Sequence, residues 1–153
     1  LIVKGELQIN GTESEPARLA SLDSGSWKGI FLDKTKNGAR INHCQISDAE
    51  YGLRVTEATV KLQNCRFQNN VWGIVIEQSK AEIHHTLVRT SGKVGIAARQ
   101  AQLLVNNSVI TENDAGGFIL EKSEASIEQN NIVNNGNWAI KVADTASNIY
   151  LTY

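Results

Sequence analysis

No run of 18 or more apolar residues occurs in the 153-residue chain, and no basic stretch leads into an apolar one. The pattern therefore contains no membrane-spanning helix, and no membrane insertion is expected. An excess of charge of one sign is missing too, since 15 basic and 16 acidic residues leave a net −1. That balance offers no electrostatic footprint for nucleic acid or an anionic bilayer, and the short, mixed charge runs mark solvated strand faces. Two cysteines are too few to fix a redox compartment. Proline is confined to Pro16, and 41% of residues are apolar. One small domain with an uninterrupted core is expected over residues 1–153.

What the chain does contain is a repeat. Gly29, Gly52, Gly73, Gly95, Gly117 and Ala139 are spaced 23, 21, 22, 22 and 22 residues apart. Each opens one phrase, as in Gly52-Leu53-Arg54-Val55, Gly73-Ile74-Val75-Ile76 and Gly117-Phe118-Ile119-Leu120. A second phrase follows ten residues on, once a two-residue insertion within Asp33 to Gly38 is allowed. It runs Ala39-Arg40-Ile41, Val60-Lys61-Leu62, Ala81-Glu82-Ile83, Leu103-Leu104-Val105, Ala125-Ser126-Ile127 and Ser147-Asn148-Ile149. A third aliphatic or aromatic comes five residues later at Ile46, Phe67, Val88, Ile110 and Ile132. This is period-2 strand patterning. Segments so short must pair with their equivalents one coil above and below. The expected fold is all-β: a parallel β-helix, or solenoid, of about six coils with three short strands each.

The turns carry their own column: Ala49, Asn70, Ser91, Asn113 and Asn135. Asparagine tolerates left-handed backbone and can bond its own turn and the next coil, so a partial asparagine ladder is expected.

The phrases G-I-x-I and A-x-I-x-N-C-x-I, followed by an Asn-Asn turn, resemble the right-handed parallel β-helix repeats of the pectate-lyase-like superfamily, also called carbohydrate-binding and sugar-hydrolase repeats. The likeness covers Trp27 to Tyr153. Residues 1–26, with Gly5-Glu6-Leu7-Gln8-Ile9-Asn10-Gly11-Thr12, are similar to the lead-in coil of bacterial surface and periplasmic β-helix domains. The resemblance implies a right-handed solenoid and an extracytoplasmic location in the bacterial periplasm, at the cell surface or secreted. It is weak for function, because one solenoid hosts lyases, hydrolases, adhesins and inert spacers. The chain begins inside an alternating strand and stops at Ile149-Tyr150-Leu151, half way through a coil. It is therefore expected to be a piece of a larger protein, or to make end-to-end or edge contacts through uncapped coils.

Stacking the coils tests each candidate chemistry. Cys44 and Cys65 fall in one column with Thr86, Ser108 and Asn130, so a cross-coil disulfide and two buried thiols are both open. His43 and His85 lie two coils apart, roughly 9.5 Å, and His84 faces away from His85. No metal site and no cofactor is expected. Lyases of the superfamily cluster aspartates around calcium, and its hydrolases pair aspartates in fixed motifs; neither pattern occurs. The column Asp33, Thr56, Glu77, Arg99, Glu121, Ala143 instead places Glu77 and Glu121 on either side of Arg99, as a cross-strand charge ladder. No catalytic residue is assigned, although missing coils could carry a lyase or hydrolase site.

The surface does offer aromatic and apolar columns. Before the glycine stand Lys28, Tyr51, Trp72, Val94, Gly116 and Trp138. Tyr51 and Trp72 are neighbours, and their rings suit either a sugar ring or the closing of a hydrophobic corner. As a carbohydrate site the candidates are Tyr51, Trp72 and Trp138, with Asn70 and Glu50 bonding hydroxyls. The x of G-I-x-I carries Phe31, Arg54, Val75, Ala97, Ile119 and Lys141. Its apolar excess makes Phe31, Val75 and Ile119 candidates for contact with a protein partner. A non-catalytic module binding a glycan or a protein, or a structural scaffold, stands ahead of an enzyme.

Overall fold

The computed structural model describes residues 1–22, Gly25 and residues 27–152. Three strands follow one another in each turn, for example Trp72–Glu77, Lys80–His84 and Leu87–Arg89. Equivalent strands of successive turns pair in parallel, giving sheets of seven, seven and six strands. We call them the first, second and third sheets. They make six complete turns and two strands of a seventh. The lead-in stretch is itself a turn: Ile2–Val3, Leu7–Asn10 and Ala17–Leu19 each pair with the turn that follows.

The alternating side chains point inward as aliphatic columns. Leu53, Ile74 and Ile96 are in register on the first sheet, Leu62, Ile83 and Val105 on the second, and Phe67, Val88 and Ile110 on the third. All nine have no measurable exposure. Each turn thus buries its apolar side only against its neighbours, and the core is a filled cylinder.

The corners follow a rule the sequence reading missed. Among the described residues, fifteen other than glycine have φ between 47° and 59°, three per turn over five turns. One column is Asp48, Asn69, Thr90, Glu112 and Asn134. The asparagine column that was expected to adopt the left-handed conformation comes one residue later and is buried. Asn70 Oδ1 accepts from Ala49 N at 3.0 Å, and its Nδ2 donates to Ile46 O at 3.2 Å. Asn113 Oδ1 accepts from Ser91 N at 3.0 Å, while its Nδ2 reaches Asn135 Oδ1 at 2.8 Å. The ladder is therefore mainly amide to main chain of the preceding turn, and amide to amide only at its last step.

The same device closes the other corners. Ser79, Ser123 and Ser147 accept from Ala58 N, Ala101 N and Ser123 N at 3.0, 3.1 and 3.1 Å. In the cysteine column, Thr86 Oγ1 donates to His84 O at 2.9 Å and Ser108 Oγ to Asn106 O at 2.8 Å. Cys65 Sγ makes the equivalent contact to Gln63 O at 3.2 Å. Both cysteines are free and buried; the Cys65 thiol takes the place of a hydroxyl, whereas Cys44 Sγ lies 4.0 Å from Gln45 O instead. Burial pushes the Cys44 thiol up to about 12.

Register departs from the expected alignment twice. A bulge between Gly29 and Ile30 sets Gly29, not Lys28, opposite Tyr51. Gly29 has φ of +98°, and a Cβ there would lie 1.6 Å from Tyr51 O, which explains the glycine. In the last turn Ala125 pairs with Ile149 and Ile127 with Leu151, so the phrase aligned as Ser147-Asn148-Ile149 is two residues out. The extra residues form a corner around Asp144, whose carboxylate accepts from Lys122 N at 2.5 Å and Ala146 N at 2.6 Å. The Lys122 amide, foremost, holds that carboxyl below the usual range. The insertion expected within Asp33 to Gly38 is present, since Leu32 pairs with Val55 but Ala39 with Val60.

Candidate functional site

On the outer face of the first sheet the x column is in register through Phe31, Arg54, Val75, Ala97, Ile119 and Lys141. A shallow groove of about 220 Å³ runs across it. Val75, Ala97 and Ile119 form its apolar surface, Tyr51 and Trp72 stand at one side, and Arg54, Glu77, Arg99 and Glu121 supply the charge.

The aromatic row is continuous over three turns. Phe31 meets Tyr51 edge-on at 5.6 Å and 69°. Tyr51 and Trp72 are parallel, with centroids 6.4 Å apart and planes within 3°. Two cations complete the row: the Arg54 guanidinium lies 5.4 Å over the Tyr51 ring, and Lys93 Nζ lies 4.8 Å over the indole of Trp72. The indole thus meets Tyr51 from the turn before and Lys93 from the turn after. Lys93 is exposed, and a cation–π contact at such a site is worth only about 0.5–1 kcal/mol. A ligand ring can take its place.

The charged groups are neutralised in pairs. Glu77 Oε2 accepts from Arg54 at 2.9 Å (Nε) and 2.7 Å (Nη2). Arg99 Nε lies 3.4 Å from Glu121. The expected ladder through Arg99 is thus divided, because Glu77 turns to the diagonal Arg54 and leaves Arg99 to Glu121. Register sets Glu77 and Glu121 two strands apart with Arg99 between, roughly 9.6 Å by strand spacing. Among the described residues, no three of His, Cys, Asp and Glu converge as a metal site. His84 Nδ1 is instead 2.5 Å from Asn106 Oδ1, and His43 Nε2 3.2 Å from Asn64 Nδ2.

The structure brings some of the predicted residues together and separates others. Tyr51, Trp72, Val75 and Ile119 share the groove, and Phe31 supports Tyr51. Val75 is only 9% exposed, which limits it as a contact. Trp138 is elsewhere, with Val94 and Gly116 occupying the two turns between it and Trp72. Its Nε1 donates to Phe118 O at 2.9 Å, and its ring covers Gly116, where a Cβ would come within 2.3 Å. Trp138 therefore closes a corner. Asn70 is 2% exposed with both ends of its amide engaged, so it cannot bond a ligand without releasing the turn. Glu50 lies outside the groove and pairs with Lys28. Lys93, Ala97 and Arg99 were not singled out from the sequence as ligand contacts. Lys93 could have been, since it stands beside the residue stacked over Trp72.

A family model described as "Right handed beta helix region" matches residues 28–153. No curated protein and no solved structure matches the chain. The match spans all but the first of the turns whose strands build the three sheets, and the chain accordingly belongs to the right-handed β-helix family.

Proposed function

We propose that the first sheet is a non-catalytic carbohydrate-binding face of an extracytoplasmic bacterial protein. The observation that carries this is the parallel Tyr51–Trp72 pair beside an apolar groove rimmed by arginine–carboxylate pairs. A sugar ring has one apolar face, which packs on an indole, and hydroxyls at its rim, which bond charged planar groups. The groove supplies both along one line. Lys93 leaves the indole as the sugar arrives, and its ammonium then bonds a hydroxyl. Each groove carboxylate is held by an arginine, which suits orientation of a ligand better than proton transfer.

Electrophoresis through gels containing defined polysaccharides tests the proposal. Retardation by at least one polymer is expected, with loss of about tenfold or more in affinity for Trp72→Ala and Tyr51→Ala, roughly the 1.4 kcal/mol of a good ring contact. Equal mobility of wild type and Trp72→Ala in every polymer would sink it.

A further inference from the structure

We propose that the third sheet is a docking face for a protein surface on which carboxylates adjoin apolar side chains. This site is independent of the glycan reading. The six strands of the sheet, Ala17–Leu19, Cys44–Ser47, Arg66–Gln68, Leu87–Arg89, Val109–Thr111 and Asn131–Val133, carry three arginines and no acid. The ion pairs among the described residues lie on the other two sheets or at their corners, and none involves Arg18, Arg66 or Arg89. Glu13 lines a hollow with Arg66, Gln45 and Leu87, yet it forms no ion pair with Arg66, and Glu15, Asp48, Glu112 and Asp114 form none with these arginines either.

Arg66 is in register between Gln45 and Leu87, and Arg89 beside Gln68. Arg89 Nε and Gln68 Oε1 are covered yet have no hydrogen-bond partner among the described residues. A guanidinium without an internal partner is matched by a carboxylate, which it can grip through two parallel bonds. The same outward columns continue as Leu87, Val109 and Val133, the last 49% exposed. A uniformly charged polymer would leave that apolar half uncovered, and a net charge of −1 draws no polyanion from a distance. Arginine beside aliphatics on a flat sheet is the composition of a protein interface.

The test uses a fluorescent synthetic peptide that alternates glutamate with threonine in its first half and leucine with threonine in its second. In an extended strand this presents the acids and then the leucines on one face. Binding by anisotropy at low salt is expected, at least tenfold weaker in Arg66→Glu/Arg89→Glu, intermediate in Arg66→Gln/Arg89→Gln, weaker in Val109→Asp, and unchanged in Lys61→Gln on the second sheet. Circular dichroism matching wild type checks the fold of each variant. Absence of binding, or binding indifferent to the arginine pair, overturns the proposal. So does equally tight, arginine-dependent binding of single-stranded DNA or heparin.

Discussion

Glu112 has φ of 56° and no glycine-like freedom, as do fourteen other corner residues. A left-handed conformation costs an L-residue roughly 1–2 kcal/mol, less for asparagine, whose short side chain bonds locally. Glu112→Asn should therefore stabilise the fold by about 0.5–1 kcal/mol, read as a higher urea midpoint at unchanged slope. The reverse change, Asn134→Glu, should lower it. Cys44 gives a prediction of opposite character. Its folded value is raised from 9.0 to about 12 by burial, so the fold holds the proton more tightly than the unfolded chain does. The stability this gives is complete below pH 9.0 and is lost as pH rises towards 12. Thermal melts across that window should fall more steeply for wild type than for Cys44→Ser. Parallel curves would show that the thiol is not sequestered.

At the level of the corner, one side chain serves two turns. Asn113 joins Ser91 N and Val88 O of the preceding turn to Asn135 Oδ1 of the next, so Asn113→Ala strips partners from two buried backbone groups of the preceding turn. A cost of about 2–3 kcal/mol is expected in denaturant unfolding. Serine, too short to span the gap, should recover little of it. The strands themselves were legible because alternation of Ile, Leu and Val survives any local detail, and Gly52, Gly73, Gly95 and Gly117 fixed their phase. The corners were harder to read. In some corners the left-handed residue precedes a side chain that reaches the preceding turn, as Asn69 does before Asn70 and Gln78 before Ser79, but alanine follows Asp48 and Glu57, and Lys34, Gln78 and Thr90 carry no compositional sign of the conformation. The two register shifts were hidden for the same reason: Gly29 resembles every other repeat glycine until its φ is seen, and Asp144 resembles an ordinary loop acid. Of the candidate site, the Tyr51–Trp72 contact followed from the 21-residue spacing. Trp138 shared the column in sequence but was diverted by the missing side chain of Gly116.

Across the whole molecule, each turn contacts only its neighbours, so stability is close to a sum of turns and the interfaces between them. A defect in the middle divides that sum, whereas one at an end shortens it. Phe67, fully buried between Ile46 and Val88, is central. Phe67→Ala should cost about 3–5 kcal/mol and reduce amide exchange protection in turns on both sides. Ile149→Ala, in the final strand, should loosen only the last turn. Uniform loss of protection in both variants would contradict the nearest-neighbour picture.

The constant stacking of parallel strands has one more consequence. Every outward column is a ruler graduated at about 4.8 Å, and the filled core beneath it prevents the graduations from stretching. A long ligand with its own repeat can touch successive turns only while the two periods stay in phase. A mismatch of about 0.4 Å per step accumulates to half a graduation after roughly six turns. Polymers of identical chemistry but different repeat length would then be told apart by commensurability alone, without any side chain contacting the feature that distinguishes them.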